Sequence, residues 1–341
     1  MSIYREGLEI VGLAAAKLLA KGAFPCSLIT NNPPIIAAFG LDFIRAFPEI
    51  LDALPRGRKT YVLWKLGYEC ESQERLKEEE SLYRQLDGKG KVIECTYLCN
   101  TIKEVENLES VGMRAILCNQ NCFIDERRFP VLPNYPKAFD AIYLSRITPC
   151  KRHHLAREIE QVKVIGGYLD AERDYALTEM ATLPHATWTK KVLGFRMYKH
   201  LAAAHVGLCL SDREGAMYAS AEYLLCGLPV VSTHNVGGRD EFFDPGYTRT
   251  VEPNECAVAQ AVHDLIKEKF DPFHIRKETL KKMQVHRDAY LDLLASIFEK
   301  EGKQFNRKAA WKDYGFHKLG VRTTVSPCIS WNNMLRTNTF R

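Results

Sequence analysis

The sequence predicts an α/β protein of two domains, each built on a parallel sheet, and three observations carry that prediction. From residue 59 onward, short apolar runs of strand length alternate with longer runs of helix length, the pattern of repeated strand–helix–strand units. Residues 206–246 repeat the unit in its tightest form. There an apolar strand at 206–210 leads through the loop Ser211-Asp212-Arg213 into a helix at 215–225. Cys226-Gly227 closes that helix, and a strand follows at 229–232 with Pro229 at its first position. Between the two halves, Pro130, Pro133 and Pro136 fall three residues apart, a spacing that suits an extended connector over 122–139.

Each element follows from local composition. Residues 8–21 place apolar side chains at helical spacing and stop at Gly22. A strand is expected at 26–30, a turn at Asn31-Asn32-Pro33-Pro34, and a helical or mixed segment over 35–54 that Pro48 interrupts. Residues 59–66 are rich in strand formers, and 71–86 form a charged, exposed helix that ends at Asp87-Gly88. Strands at 92–100 and 114–119 flank a helix at 102–110. Beyond the connector come a strand at 140–148, a helix through 161, a strand at 162–166, a helix at 171–181, a strand at 186–189 and a helix at 194–204. After the 206–246 unit, 257–270 is an amphipathic helix and 272–300 is largely helical. This reading divides the chain into 1–130, 131–302 and a basic C-terminal segment 303–341 of weak periodicity.

Composition limits the function classes. The chain has 341 residues, 46% apolar and 26% charged, enough to bury two cores and far from the balance of a disordered chain. No apolar run reaches the ~18 residues of a membrane-spanning helix. The first residues lack the charged-then-apolar order of a signal peptide, so the expected location is cytoplasmic, or peripheral at a membrane surface. Eleven cysteines without a regular framework suit a reducing compartment. Cys95/Cys99 and Cys118/Cys122 lack the tight pairs and His partners of a zinc site, and no metal is expected. Residues 303–341 hold eight Lys and Arg against the single acid Asp313. That patch is either a solvated surface or an attractor of anions; nucleic acid is not the expected partner.

Two groups of residues carry chemistry. In the first, Glu214 and Glu222 lie eight residues apart, which on a helix is about 12 Å along the axis with a rotation of about 80°. The span matches the reach from a nucleotide's ribose to the sugar beyond its diphosphate, with Glu222 at the ribose hydroxyls and Glu214 at the sugar. The amides of Gly215, Ala216 and Met217 face an anion at the helix start. Taken alone, the pair also reads as two solvated surface glutamates. In the second, Arg146 and Lys151 stand five apart just past a buried strand, where two cations can hold a diphosphate and stabilise it as it departs. Taken alone, that segment also reads as an exposed basic loop.

Together these residues carry a resemblance. The run E-G-A-M-Y-A-S-A-E-Y-L-L-C-G-L-P-V-V-S-T from Glu214, followed by Gly237-Gly238, resembles the signature of the retaining, GT-B fold glycosyltransferases of family four. Ser145-Arg146-Ile147-Thr148-Pro149-Cys150-Lys151-Arg152 is similar to the family's Gly-Arg-x-x-x-x-Lys-Gly motif, with Ser145 and Arg152 in place of its two glycines. The resemblance implies a GT-B fold, two Rossmann-like domains with a cleft between them, and a C-terminal segment 303–341 packing back on the first domain; against the family's pattern, the first domain is expected to begin short. It implies transfer of a sugar from a nucleoside diphosphate sugar, UDP- or GDP-linked, to a glycan, lipid-linked or small-molecule acceptor, anionic or membrane-associated. The configuration is retained, no cofactor or metal is used, and the domains close over the donor. Glu214, Arg146 and Lys151 are then the catalytic residues. Glu222, Gly215, Ala216, Met217, Gly166 (at the base) and Gly237 (at the diphosphate) bind the donor. The sequence contains no Asp-x-Asp pair. It also has no His before His153, so the family's first-domain His has no counterpart, and Lys65, Tyr68 and Glu69 are candidates by position only. A second outcome stays open: a catalytically degenerate protein that binds a nucleotide sugar or a partner.

Overall fold

The computed structural model describes residues 26–39, 59–87, 93–190, 192, 194–315 and 317–319. The helix expected at 8–21, the shortened start, residues 40–54 and the cations Arg322, Arg336 and Arg341 lie outside the described residues. The chain divides into two compact units, Met1–Phe123 with His286–Arg341, and Ile124–Val285.

The first unit holds one sheet of five described strands in chain order: β1 (Cys26–Asn31), β2 (Pro34–Phe39), β3 (Thr60–Lys65), β4 (Ile93–Cys99) and β5 (Ala115–Leu117). β1 runs antiparallel to β2, and every later pair is parallel. The helical or mixed segment expected from residue 35 is therefore corrected at its start. P-I-I-A-A-F has no polar face to offer solvent, and β2 sits between β1 and β3 with Ile35 and Ile36 buried. Helix α1 (Gln73–Asp87) joins β3 to β4, and α2 (Ile102–Ser110) joins β4 to β5. A capping box starts α2: Glu104 N–H donates to Thr101 Oγ1 at 3.1 Å. The Glu104 carboxylate in turn takes the N–H groups of Thr101, Asn100 and Cys70. One core unites Val62, Trp64, Tyr97 and Leu108 across these elements.

The second unit carries β6 (Phe139–Leu144), β7 (Val162–Ile165), β8 (Thr187–Thr189), β9 (Ala204–Cys209), β10 (Val230–Thr233) and β11 (Thr248–Val251). Its helices are α3 (Arg173–Ala181), α4 (Met197–Ala202), α5 (Tyr218–Leu225) and α6 (Glu255–Lys267). All strand pairs are parallel, in the order β11-β10-β9-β6-β7-β8. The chain winds outward from β6 to β8, returns to β9 beside β6, and winds outward the other way. This is the doubly wound Rossmann order, and its direction reverses between β6 and β9.

Two expected helices differ. The one expected through 161 is replaced by short 3-10 turns at Pro149–Lys151 and His153–Ala156, because Arg152 between them is left-handed (φ 49°, ψ 51°) and breaks any helix. The one expected from 215 starts at Tyr218, because Met217 before it is extended (φ −85°, ψ 104°).

Helix α7 (Pro272–Lys300) contributes to both units. In its first part, the Arg276 guanidinium donates to the carbonyls of Glu126, Phe129 and Leu225, all in the second unit. In its last part, His286 Nδ1 accepts Asn119 N–H at 3.2 Å and Arg287 Nε donates to Cys122 O at 2.9 Å, all in the first unit. Helix α8 (Arg307–Tyr314) stays with the first unit through Trp311, whose ring stacks on Phe123 and lies under Arg287. Among the described residues no helix is long and apolar enough to cross a membrane.

Candidate functional site

In an open parallel sheet, ligands bind beyond the carboxyl ends of the strands where the winding reverses. In the second unit those ends belong to β6 and β9. The chain leaves β6 into Ser145–Lys151 and leaves β9 into Ser211–Glu214, and across the gap Lys151 Nζ meets Glu214 Oε1 as an ion pair. The two residues stand 63 apart in the sequence, so the topology alone brings them together. Both are largely buried, with side chains 15% and 17% exposed. Burial pushes the Lys151 ammonium down to about 8, and the charges of Arg146 and Arg239 press the same way.

The Lys151 turn is held from beneath. Tyr143 Oη donates to Lys151 O at 2.7 Å, and Lys151 N–H donates to Thr148 O at 3.0 Å. Arg146 is half exposed and lies against Glu172 (3.7 Å), the looser kind of contact that a stronger anion can replace. Ser145 Oγ lies 2.8 Å from Nε2 of His153. That imidazole is fully buried and packed on Tyr143. Burial and the nearby Lys151 charge lower it to about 3, so it is neutral at physiological pH.

Gly166 follows β7 and is dictated by backbone approach: a Cβ there would stand 1.7 Å from Ser145 O. Gly166→Ala therefore forces β6 and β7 apart where the Arg146 loop begins. We expect it to cost about 1–3 kcal/mol or more, the range of an overpacked core, read as a fall in Tm. A Tm within a degree of the parent would remove this constraint.

Gly215, Ala216 and Met217 lie in the loop before α5, with Met217 at its N-cap, and not in the helix's first turn. The axial spacing expected for Glu214 and Glu222 does not apply, since only Glu222 is helical. Glu222 is 6% exposed on α5, so it is not a solvated surface group. The Glu214 loop is zipped to the loop after β10 by Val236 N–H to Asp212 O (2.9 Å) and Glu214 N–H to Val236 O (3.0 Å). Gly237 comes next at φ 107°, a conformation that L side chains rarely adopt.

Two arginines escaped a site reading. Arg239 is fully buried and pairs with Asp240. It donates to Ser211 O and Oγ at the end of β9, and to Ser232 Oγ (2.7 Å) and Thr233 O at the end of β10. Arg152 donates through Nε to Leu210 O (2.7 Å) and through a terminal N–H to Thr233 Oγ1 (2.7 Å). The only hint in the sequence is a basic residue where the resembled motif has glycine, and another directly after Gly237-Gly238.

In the first unit, the positional candidates have other partners. Lys65 is buried, donates to the carbonyls of Lys318 and Leu319 (3.1 and 3.2 Å), and is pushed down to about 8 by burial. Glu69 is buried and accepts Glu71 N–H at 3.0 Å. Tyr68 is exposed beneath Arg75. Among the described residues no three His, Cys, Asp or Glu side chains converge as a metal site requires.

Residues 143–268 match the family described as Glycosyl transferases group 1. No curated protein sequence matches the chain. Among solved structures, the chain is similar to Anabaena HepE in complex with UDP and glucose, at 14% identity over 79% of this chain and 78% of that one, TM-score 0.55. It is also similar to sucrose-phosphate synthase from Thermosynechococcus elongatus, at 15% identity over 78% and 72%, TM-score 0.53. A third is the N-terminal domain of a trehalose-6-phosphate phosphatase from Candida albicans, at 11% identity over 72% and 70%, TM-score 0.53. At these identities the likeness speaks to the fold alone.

Proposed function

We propose that the chain is a glycosyltransferase that moves a sugar from a nucleoside diphosphate sugar to an acceptor with retention of configuration. The observation that carries the reading is the Lys151–Glu214 pair at the switch point of the doubly wound sheet, inside the segment that matches the group 1 family. A cation and a carboxylate held together at a strand-end crevice suit a substrate that is an anion joined to a polyol. The diphosphate takes Lys151 and Arg146, which frees Glu214 for the sugar hydroxyls and for the positive charge that develops at the anomeric carbon. Glu222 takes the ribose, Gly215, Ala216 and Met217 line the diphosphate, Gly166 lies at the base and Gly237 shapes the facing loop. The anomeric C–O bond breaks with its electron pair leaving on the diphosphate. The acceptor oxygen bonds to the same face of the sugar, and its proton passes to the departing phosphate. In this reading Lys151 and Arg146 neutralise the leaving group, a task that calls for no metal ion or cofactor. UDP is the first nucleotide to test, since HepE is in complex with UDP and glucose.

A thermal-shift screen with UDP-, GDP- and ADP-sugars tests the binding half. A ligand at a hundred times its Kd stabilises the folded form by about 2.7 kcal/mol, and no shift at millimolar concentration with any of them would dismiss the reading. Donor turnover lost in Glu214→Ala separates an enzyme from a degenerate binder. The pH dependence has a definite sign. Lys151 titrates near 8, so its positive charge is present below that pH and lost above it. We expect kcat/KM for the donor to be level below pH 8 and to fall about tenfold per pH unit above it, with the kcat limb displaced to higher pH because bound diphosphate holds the proton on. A kcat/KM that rises through pH 8 would contradict the role of Lys151.

A further inference from the structure

We propose that Arg152 is a positioning residue of the diphosphate site, fixing the Lys151 turn against two strand ends; this rests on the donor-site reading above. The backbone at Arg152 is left-handed, a conformation in which glycine is at ease and arginine is strained. The resembled motif has glycine at this place. An arginine here is retained against that strain, and its side chain shows what it does. Nε and a terminal N–H reach two strand ends at once, Leu210 O on the β9 side and Thr233 Oγ1 on β10. Thr233 Oγ1 donates on to Leu210 O at 3.2 Å, so the guanidinium closes a small ring of bonds across the two ends. Arg239 grips the same ends from Ser211, Ser232 and the Thr233 carbonyl.

The consequence for the site is geometric. Lys151 immediately precedes Arg152, and Glu214 follows Leu210 by four residues. The Arg152 side chain thus ties the segment that carries Lys151 to the strand end that launches Glu214, and the two meet as an ion pair. With glycine at 152 the turn could form and keep the Asp212 N–H bond to Cys150 O (3.3 Å), but it would lose the guanidinium's tie to Leu210 O and to β10. A Lys151 ammonium fixed in a partly dry crevice favours a diphosphate and is indifferent to a nucleoside.

Titration calorimetry of the full chain with UDP, uridine and inorganic pyrophosphate tests this, comparing the parent with Arg152→Gly and Arg152→Lys. Glycine suits the left-handed backbone, so Arg152→Gly is expected to fold, with a Tm close to the parent's. It should weaken UDP and pyrophosphate at least tenfold while uridine changes less than twofold. Arg152→Lys keeps the charge without the fork and should recover part of the loss. A merely structural role would weaken uridine and UDP alike. Arg152→Gly binding UDP and pyrophosphate within twofold of the parent, or losing uridine in step with UDP, overturns the proposal. A parent that binds pyrophosphate but no nucleotide sinks the nucleotide-sugar reading and leaves the Arg152 comparison to be decided on pyrophosphate. A parent that binds neither sinks both.

Discussion

Lys151→Ala is expected to lower donor turnover by about a hundred- to a thousandfold, the usual loss when one preorganised group that stabilises developing negative charge is removed. The size follows from position. Lys151 is largely buried, and in the proposed reaction the leaving diphosphate gathers its charge there, so water cannot replace it at full strength. The same change leaves Glu214 without its ion-pair partner in a half-buried loop, which adds a stability cost. Lys151→Met separates the two effects, since it keeps the packing of the side-chain stem and removes only the charge. Lys151→Arg supplies an independent check: a guanidinium stays protonated at every accessible pH, so whatever activity remains should lose its alkaline limb near pH 8. Turnover in Lys151→Ala within tenfold of the parent would remove this residue from the chemistry.

Arg239→Met is expected to cost about 3–5 kcal/mol, since each buried acceptor that loses its charged donor costs about 1–3 kcal/mol. The Arg239 side chain is 0% exposed. It satisfies Ser211 O and Thr233 O, bonds Ser211 Oγ and Ser232 Oγ, and pairs with Asp240. Methionine fills a similar volume but takes the donor from the buried Ser211 O and the charged donor from Thr233 O, which keeps the Ser232 Oγ bond (3.2 Å). Against a typical domain stability of 5–15 kcal/mol, that loss brings the second unit close to unfolding. Urea denaturation should show a lower midpoint with an unchanged slope. Arg239→Lys should rescue little, because one ammonium cannot span two strand ends as a planar fork does. A midpoint that barely moves would mean that the strand ends hold themselves together.

The two predictions separate what the sequence carries from what it hides. Local pattern was enough for most elements. The helices at 102–110 and 272–300 come out with the expected bounds, because their apolar spacing and caps act within a few residues. Five of the six described strands of the second unit were legible, the longer of them as continuous apolar runs that can only be buried; β11, T-R-T-V, has no such run and was not expected. Where the reading failed, a distant partner had intervened. Residues 34–39 became a strand because β1 and β3 lie on either side. The helix expected after Lys151 was lost to one left-handed residue, and α5 starts only after a loop that pairs with Val236.

For the site, the motifs alone pointed to Arg146, Lys151, Glu214 and Glu222, since residue type and spacing are properties of the chain read in one dimension. They left open whether two glutamates were solvated or built in. The fold answered that by winding the sheet outward in both directions from β6 and β9, which sets Lys151 on Glu214 across 63 residues and buries Glu222 on α5. It also assigned work to Arg239 and Arg152, which no local pattern marks. A hydrogen bond to a strand end depends on which strands are neighbours, and strand order is set by how the whole sheet buries its faces rather than by any short run of residues.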